Sequence, residues 1–316
     1  MPLLDSALNM RVTALAGGTG AAKLLRGLAA VLDPSALRIV VNTGDDAEVW
    51  GLHVSPDLDS VMYALAGVLD IGRGWGRADE TFRCLSAMAA YGEPTWFGLG
   101  DRDLATHVLR TRALREGQSL STITAALCRA LGVTPRVLPM SDDAVRTVIR
   151  TPDGRLGFQE YFVRDKCQVE VVGVDYDGAA RARPAPGVLD AIREADVVVV
   201  CPSNPVTSIG PIVAVPGIAD ALASTRARVI GVSPIVAGAA VSGPAAALMR
   251  AQSLPVSPVG IARAYAPWLS TLLVAREDAG CAEPLSAVGV RAVPTDVMMP
   301  DAAREIALAR AVLELA

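Results

Sequence analysis

Short apolar runs alternate with longer amphipathic stretches along the 316-residue chain, and that rhythm predicts most of its elements. Residues 11–16 form an apolar run that stops at glycines, and residues 21–32 follow with Leu24, Leu25, Leu28 and Leu32 at helical spacing. A second β-branched run over 37–42 completes a strand, turn, helix, strand unit, whose right-handed crossover brings both strand ends to one edge of a sheet. From Asp57 the pattern is helical again, with Leu58, Val61, Met62 and Leu65 three and four residues apart. Further helices are expected over 79–91, 104–116 and 120–131, the last capped by Ser119.

The period then changes. Residues 135–174 alternate Val, Ile, Phe and Tyr around a Thr151-Pro152-Asp153-Gly154 turn, which predicts an inserted antiparallel hairpin. After a loop at 181–187 the α/β rhythm returns, with strands over 196–201, Arg228–Val232 and Thr271–Ala275, helices over 216–223 and 244–251, and a closing helix from Asp301. The expected fold is α/β with a mostly parallel sheet. Its core runs over 10–134 with a helical insertion and over 187–316, and 135–186 form a small β-rich subdomain.

Composition narrows the function classes. A net charge of -4 and a pI near 5.3, with no Lys/Arg run, argue against a nucleic-acid partner. Five scattered cysteines without C-x-x-C spacing read as reduced thiols of a cytoplasmic protein. The charge-free stretch 229–249 is interrupted by Pro234, Pro244 and glycines, so it reads as strand, loop and helix start and no membrane segment is expected. Residues 1–9 read as a frayed leader, with Met10 as an alternative start.

The candidate chemistry is concentrated at the strand ends. Gly17-Gly18-Thr19-Gly20 stands where a strand meets a helix and offers backbone N–H groups to an anion, with Lys23 one turn further on. A dinucleotide fingerprint would need its third glycine at Lys23, and no Gly-Lys-Ser/Thr closes a P-loop. Asn42-Thr43-Gly44-Asp45-Asp46 and Pro56-Asp57-Leu58-Asp59 place four carboxylates near that turn. Adjacent carboxylates repel unless a proton or a hard cation such as Mg2+ relieves them. Asp45 or Asp46 is the expected metal ligand and Asp59 the expected substrate contact, while one of Asp57 and Asp59 is expected to cap its helix.

Gly100-Asp101-Arg102-Asp103 precedes a helix carrying His107, an arrangement also met in ordinary helix starts. Ser203, Asn204, Thr207, Ser208 and Gly210 follow an apolar strand, where ligands of open α/β sheets bind, although such a loop also satisfies its own backbone.

Taken in order, these segments, together with Leu138-Pro139-Met140-Ser141-Asp142-Asp143, Ser233-Pro234-Ile235 and Val241-Ser242-Gly243-Pro244, resemble the 2-phospho-L-lactate transferase family (CofD/FbiA) of coenzyme F420 biosynthesis over nearly all of residues 11–315. The resemblance implies a Rossmann-like three-layer sandwich with a small inserted α+β subdomain, and a homodimer. It also implies a Mg2+-dependent transfer of a phospho-acid from its guanosine diphosphate diester to the deazaflavin FO, releasing GMP. Asp45 and Asp46 would then lie near metal and diphosphate, Asp59 near FO, and Ser203–Gly210 around the nucleotide. Substrate contacts are implied at Gly18, Thr19, Gly20, Asn42, Asp57, Asp101 and Gly98, the last standing where many members carry Lys or Arg. Arg102 or Lys23 would neutralise charge on the transferred phosphorus. On this reading Asp59→Asn cuts turnover far more than it changes the melting temperature. Two rivals remain, a non-catalytic nucleotide-sugar-binding regulator of the same broad fold and a nicotinamide-dependent oxidoreductase.

Overall fold

The structure, a computed structural model, describes residues 10–316, so the leader expected over 1–9 lies outside the described residues. In chain order the strands are β1 (Val12–Ala16), β2 (Leu37–Val41), β3 (Ala47–Val49), β4 (Leu52–Val54), β5 (Arg136–Pro139), β6 (Arg146–Thr151), β7 (Gly154–Gly157), β8 (Gly173–Asp177), β9 (Val197–Val200), β10 (Arg228–Val232), β11 (Ile235–Val236), β12 (Ala239–Ala240), β13 (Thr271–Ala275) and β14 (Arg291–Thr295). The helices that position the site are α1 (Gly18–Val31), α2 (Pro56–Leu65), α3 (Arg83–Ala90), α4 (Asp101–Arg115) and α5 (Leu120–Ala130).

Seven strands form one parallel sheet in the order β14-β13-β10-β9-β1-β2-β5. Apolar, largely β-branched strands suit this sheet because both of its faces are covered. Val12, Ala14 and Ala16 of β1 join the cluster under α1, α2 and the helix Ala302–Leu313, whereas Leu15 enters the cluster on the opposite face. Val197 and Val199 divide from Val198 and Val200 in the same way. The first half of the chain builds outward from β1 through β2 and the second half through β9, so the order reverses between β1 and β9. In open α/β sheets that reversal opens a crevice at the carboxyl ends of the strands.

Most differences from the expected elements have local causes. The hairpin around Asp153 forms as β6–β7 and pairs with β8 in a separate three-stranded sheet, but β5, within the segment expected to be inserted, is the edge strand of the central sheet beside β2. The helix expected from 79 begins only at Arg83, since Asp79 takes a positive φ of 55°. Asp301 caps the closing helix, accepting from the Arg304 N–H at 2.9 Å. No single helix among the described residues is long and apolar enough to cross a membrane, and one bent pair, Pro205–Ala214 with Ile218–Ser224, passes on length and composition alone while burying Ile209, Ile212 and Leu222 in the core.

Candidate functional site

The crevice is a cleft of about 710 Å³ lined by the glycine turn, the start of α2, the loop after β9 and a set of aromatic loops. Its polar end is built around Asp57. That carboxylate does not cap its own helix, which starts after Ser55 without a side-chain cap. Instead Oδ1 accepts from the Gly18 N–H at 2.8 Å and Oδ2 from the Asn42 Nδ2 at 2.9 Å. The Gly17 N–H in turn donates to Ser203 Oγ at 3.3 Å. Gly18 holds φ +74°, and a Cβ on Gly20 would stand 2.3 Å from the Pro202 carbonyl oxygen, so the turn closes only with glycine at these positions. The N–H groups of Gly17 and Gly18 are therefore engaged by the protein, and those of Thr19 and Gly20, in the first turn of α1, have no partner inside the helix and are offered to an anion.

Four carboxylates line this cleft, those of Asp45, Asp57, Asp59 and Asp103. Burial pushes the Asp57 carboxyl up to about 6. Burial first, and then the neighbouring Asp57 charge, push Asp45 well above the usual carboxylate range. Asp45 Oδ1 is buried without a hydrogen-bond partner among the described residues. Asp46, adjacent in sequence, faces the other way: its Oδ2 accepts from Ser55 Oγ at 2.9 Å and lies 2.8 Å from His53 Nε2, and it lines a separate cavity of about 220 Å³. The expected Asp45–Asp46 pair is thus divided between two cavities, Asp45 lying in the turn between β2 and β3 and Asp46 directly before β3.

Asp59 is embedded in a buried network that sequence reasoning missed. The fully buried Arg110 pairs with both of its oxygens, Nη1 lying 3.1 Å from Oδ2, and Nη1 also lies 3.4 Å from His107 Nδ1. His107 Nε2 is 3.3 Å from Asp103 Oδ1, which also accepts from the Tyr63 hydroxyl at 2.7 Å. Asp103, His107 and Arg110 recur at four and three residues on one face of α4, the signal that could have found them. Ligand atoms of Asp59, Asp103 and His107 lie within 4.8 Å of one another, but both Asp59 oxygens are already paired with Arg110.

Another part of the cleft wall is aromatic, with Trp75, Trp96, Phe97, Phe158 and Phe162 among its lining. Phe158 and Phe162 stack with centroids 5.5 Å apart, and a Cβ on Gly98 would meet Trp75 at 2.9 Å. Of the other expected residues, Gly18, Thr19, Gly20, Gly98, Ser203, Asn204, Thr207 and Ser208 line the cleft.

Besides Asp46, five do not line it. Lys23 donates to the Met299 carbonyl at 3.1 Å, away from the glycine turn, because its position on α1 faces the C-terminal segment. Arg102 reaches toward the Ala78 carbonyl, while its N–H and that of Asp103 donate to Glu80, which caps α4. Asp101 binds Thr81 and accepts the N–H groups of Arg83 and Cys84, so it caps α3. Asn42 is fully buried behind Asp57 and also donates to the Thr207 carbonyl at 3.0 Å. Gly210 packs against the Tyr176 ring.

Known proteins share this architecture. The fold resembles that of a UPF0052-family protein of Bacillus halodurans, at a TM-score of 0.64 and 19% identity, covering 96% of this chain and 99% of that one. In sequence the chain is 47% identical over 313 residues to a phosphoenolpyruvate transferase of Streptomyces griseus, covering 97% of this chain and 98% of the relative. Proteins of the same name are 46% identical in Thermobifida fusca, with 97% and 98% covered, and 42% identical in a Mycobacterium species, with 97% and 99% covered. The family model described as 2-phospho-L-lactate transferase CofD matches residues 12–305, a span that holds the glycine turn, all four cleft carboxylates and the loop after β9. The chain belongs to that family of transferases, which move a phospho-acyl group in coenzyme F420 biosynthesis.

Proposed function

We propose that this protein transfers phosphoenolpyruvate from its guanosine diphosphate diester to the ribityl hydroxyl of FO, releasing GMP. The observation that carries this reading is one cleft whose lining holds an anion-binding turn, an aromatic wall and the Asp59 carboxylate. The turn suits a diphosphate, the wall suits a flat tricyclic ring, and phosphoenolpyruvate is favoured over phospholactate and 3-phosphoglycerate by the relatives' shared name. Asp59, held by Arg110, orients the attacking hydroxyl and takes its proton, while Thr19, Ser203, Thr207 and Ser208 supply hydrogen bonds to the nucleotide. We further read the protein as cytoplasmic and as a homodimer. The apolar helix α3, which buries none of its residues within the chain, is a surface that a second copy would cover.

The donor set fits magnesium: hard carboxylate oxygens, with the buried Asp45 Oδ1 lacking any partner among the described residues. Asp45, with Asp57 beside it, would hold the ion, which supplies charge neutralisation at the diphosphate. Because Asp57 keeps its proton up to about pH 6 when folded and releases it near pH 4 when unfolded, the native state binds more protons between these values. Its contribution is full below pH 4 and lost as pH rises through 6, roughly 2–3 kcal/mol. Asp57→Asn should flatten that fall. Millimolar magnesium should raise the melting temperature more at pH 7.5 than at pH 5, and an equal rise at both would remove the ion from these carboxylates.

The transfer itself is tested by incubating the protein with FO, magnesium and guanylylated phosphoenolpyruvate, phospholactate or 3-phosphoglycerate in turn. Mass spectrometry should show the phosphoenolpyruvyl adduct of FO with equimolar GMP. No adduct from any donor would refute the reading.

A further inference from the structure

We propose that Arg73 recognises the carboxylate of the donor's acid, an assignment that rests on the transfer reaction proposed above. The donor carries a carboxylate besides its diphosphate, and it must enter a cleft lined by four aspartates. Each cation expected to meet it is elsewhere, Lys23 at Met299 and Arg102 at Ala78. His107 is wedged between Asp103 and Arg110 and is nearly fully buried. Among the described residues, Arg73 is the one Lys or Arg side chain that lines the cleft.

Its guanidinium is held in place before any ligand arrives. It pairs with Asp70, whose Oδ2 lies 2.9 Å from Nε and 2.8 Å from Nη2, while Nη2 also donates to the Arg77 carbonyl at 3.1 Å and the Arg73 N–H to Asp70 Oδ1 at 2.9 Å. The guanidinium carbon lies 5.3 Å from the Trp75 ring centroid and 5.1 Å from that of Phe82. Nη1 makes no hydrogen bond among the described residues and stays available to an acceptor. The next residue ties this segment to the anion-binding turn, since Thr19 Oγ1 donates to the Gly74 carbonyl at 3.2 Å. A diphosphate on Thr19 and Gly20 therefore has Arg73 within the adjoining segment, and a fixed guanidinium flanked by aromatic rings forms strong charge-assisted bonds to a carboxylate. Arg73 thereby selects donors that carry an acid.

The test compares two donors, guanylylated phosphoenolpyruvate and its carboxamide counterpart, in which the acid is neutral and the diphosphate unchanged. Calorimetry should show the wild-type protein preferring the carboxylate donor by about 30-fold, the scale of a charge-assisted hydrogen bond. Arg73→Gln should reduce that preference to about 3-fold or less while GDP affinity stays the same, and Arg73→Lys should restore part of it. Losses of equal size on both donors, or weaker GDP binding, would overturn the assignment by placing Arg73 on the diphosphate or in the fold. Turnover with FO is followed in parallel. A donor preference that Arg73→Gln abolishes in a protein with no transfer activity would sink the proposed reaction and leave the carboxylate contact standing.

Discussion

Asp59→Asn is expected to lower turnover roughly 100- to 10,000-fold, the range of a positioned general base, and to destabilise the protein as well. The second effect departs from what the sequence suggests. Read along the chain, Asp59 is an aspartate in the first turn of a helix, whose loss would cost little. In the fold it faces Arg110, which is fully buried and has no other carboxylate as close among the described residues. Neutralising one member of a buried pair leaves the other charge without compensation, which costs about 3–5 kcal/mol and lowers the melting temperature by roughly 6–15 °C. Arg110→Met should destabilise by a similar amount. The double variant Asp59→Asn with Arg110→Met removes both charges, so it should recover much of the lost stability while remaining inactive, because apolar replacement of a whole buried pair is close to neutral. If the double variant also recovered turnover, Asp59 would have no part in the chemistry.

Gly20→Ala should have the second-largest effect. The new methyl group would sit 2.3 Å from the Pro202 carbonyl oxygen, an obstacle of backbone and not of a mobile side chain. Relief requires the glycine turn and the loop after β9 to move apart. That motion pulls Gly17 from Ser203 and shifts the free N–H groups of α1 relative to Asp57. A displacement on the order of 1 Å at the reacting centre costs about 100-fold in rate, and GDP affinity should fall with it. Wild-type GDP affinity in this variant would separate the nucleotide from the turn.

Much of the fold was legible because period and punctuation agreed. The strands Arg228–Val232 and Thr271–Ala275 and the caps at Ser119 and Asp301 follow the expected bounds, since buried β-branched runs and capping side chains are local signals. The strand β14 escaped notice because it lies at the sheet edge, contains Pro294 and buries none of its residues fully. In the site, the glycine turn and the loop after β9 were readable from their place at strand ends. Side-chain direction was not. One helical turn decides whether Lys23 faces the turn or Met299, and one residue decides which cavity receives Asp45 or Asp46. The aromatic wall was invisible for another reason, since Trp75 and Phe97 come from separate loops and Phe158 from the helical turn after β7, with no spacing in common.

The pairing of β1 with β9 has a consequence during synthesis. Val12 aligns with Val197, and Ser203 and Ser208 close the cleft from well past the midpoint of the chain. While a ribosome is still adding the middle of the protein, β1 has an open edge and the glycine turn lacks its facing loop. A nascent or prematurely terminated chain of that length is exposed to aggregation, and nucleotide can assist folding only once translation has passed β9.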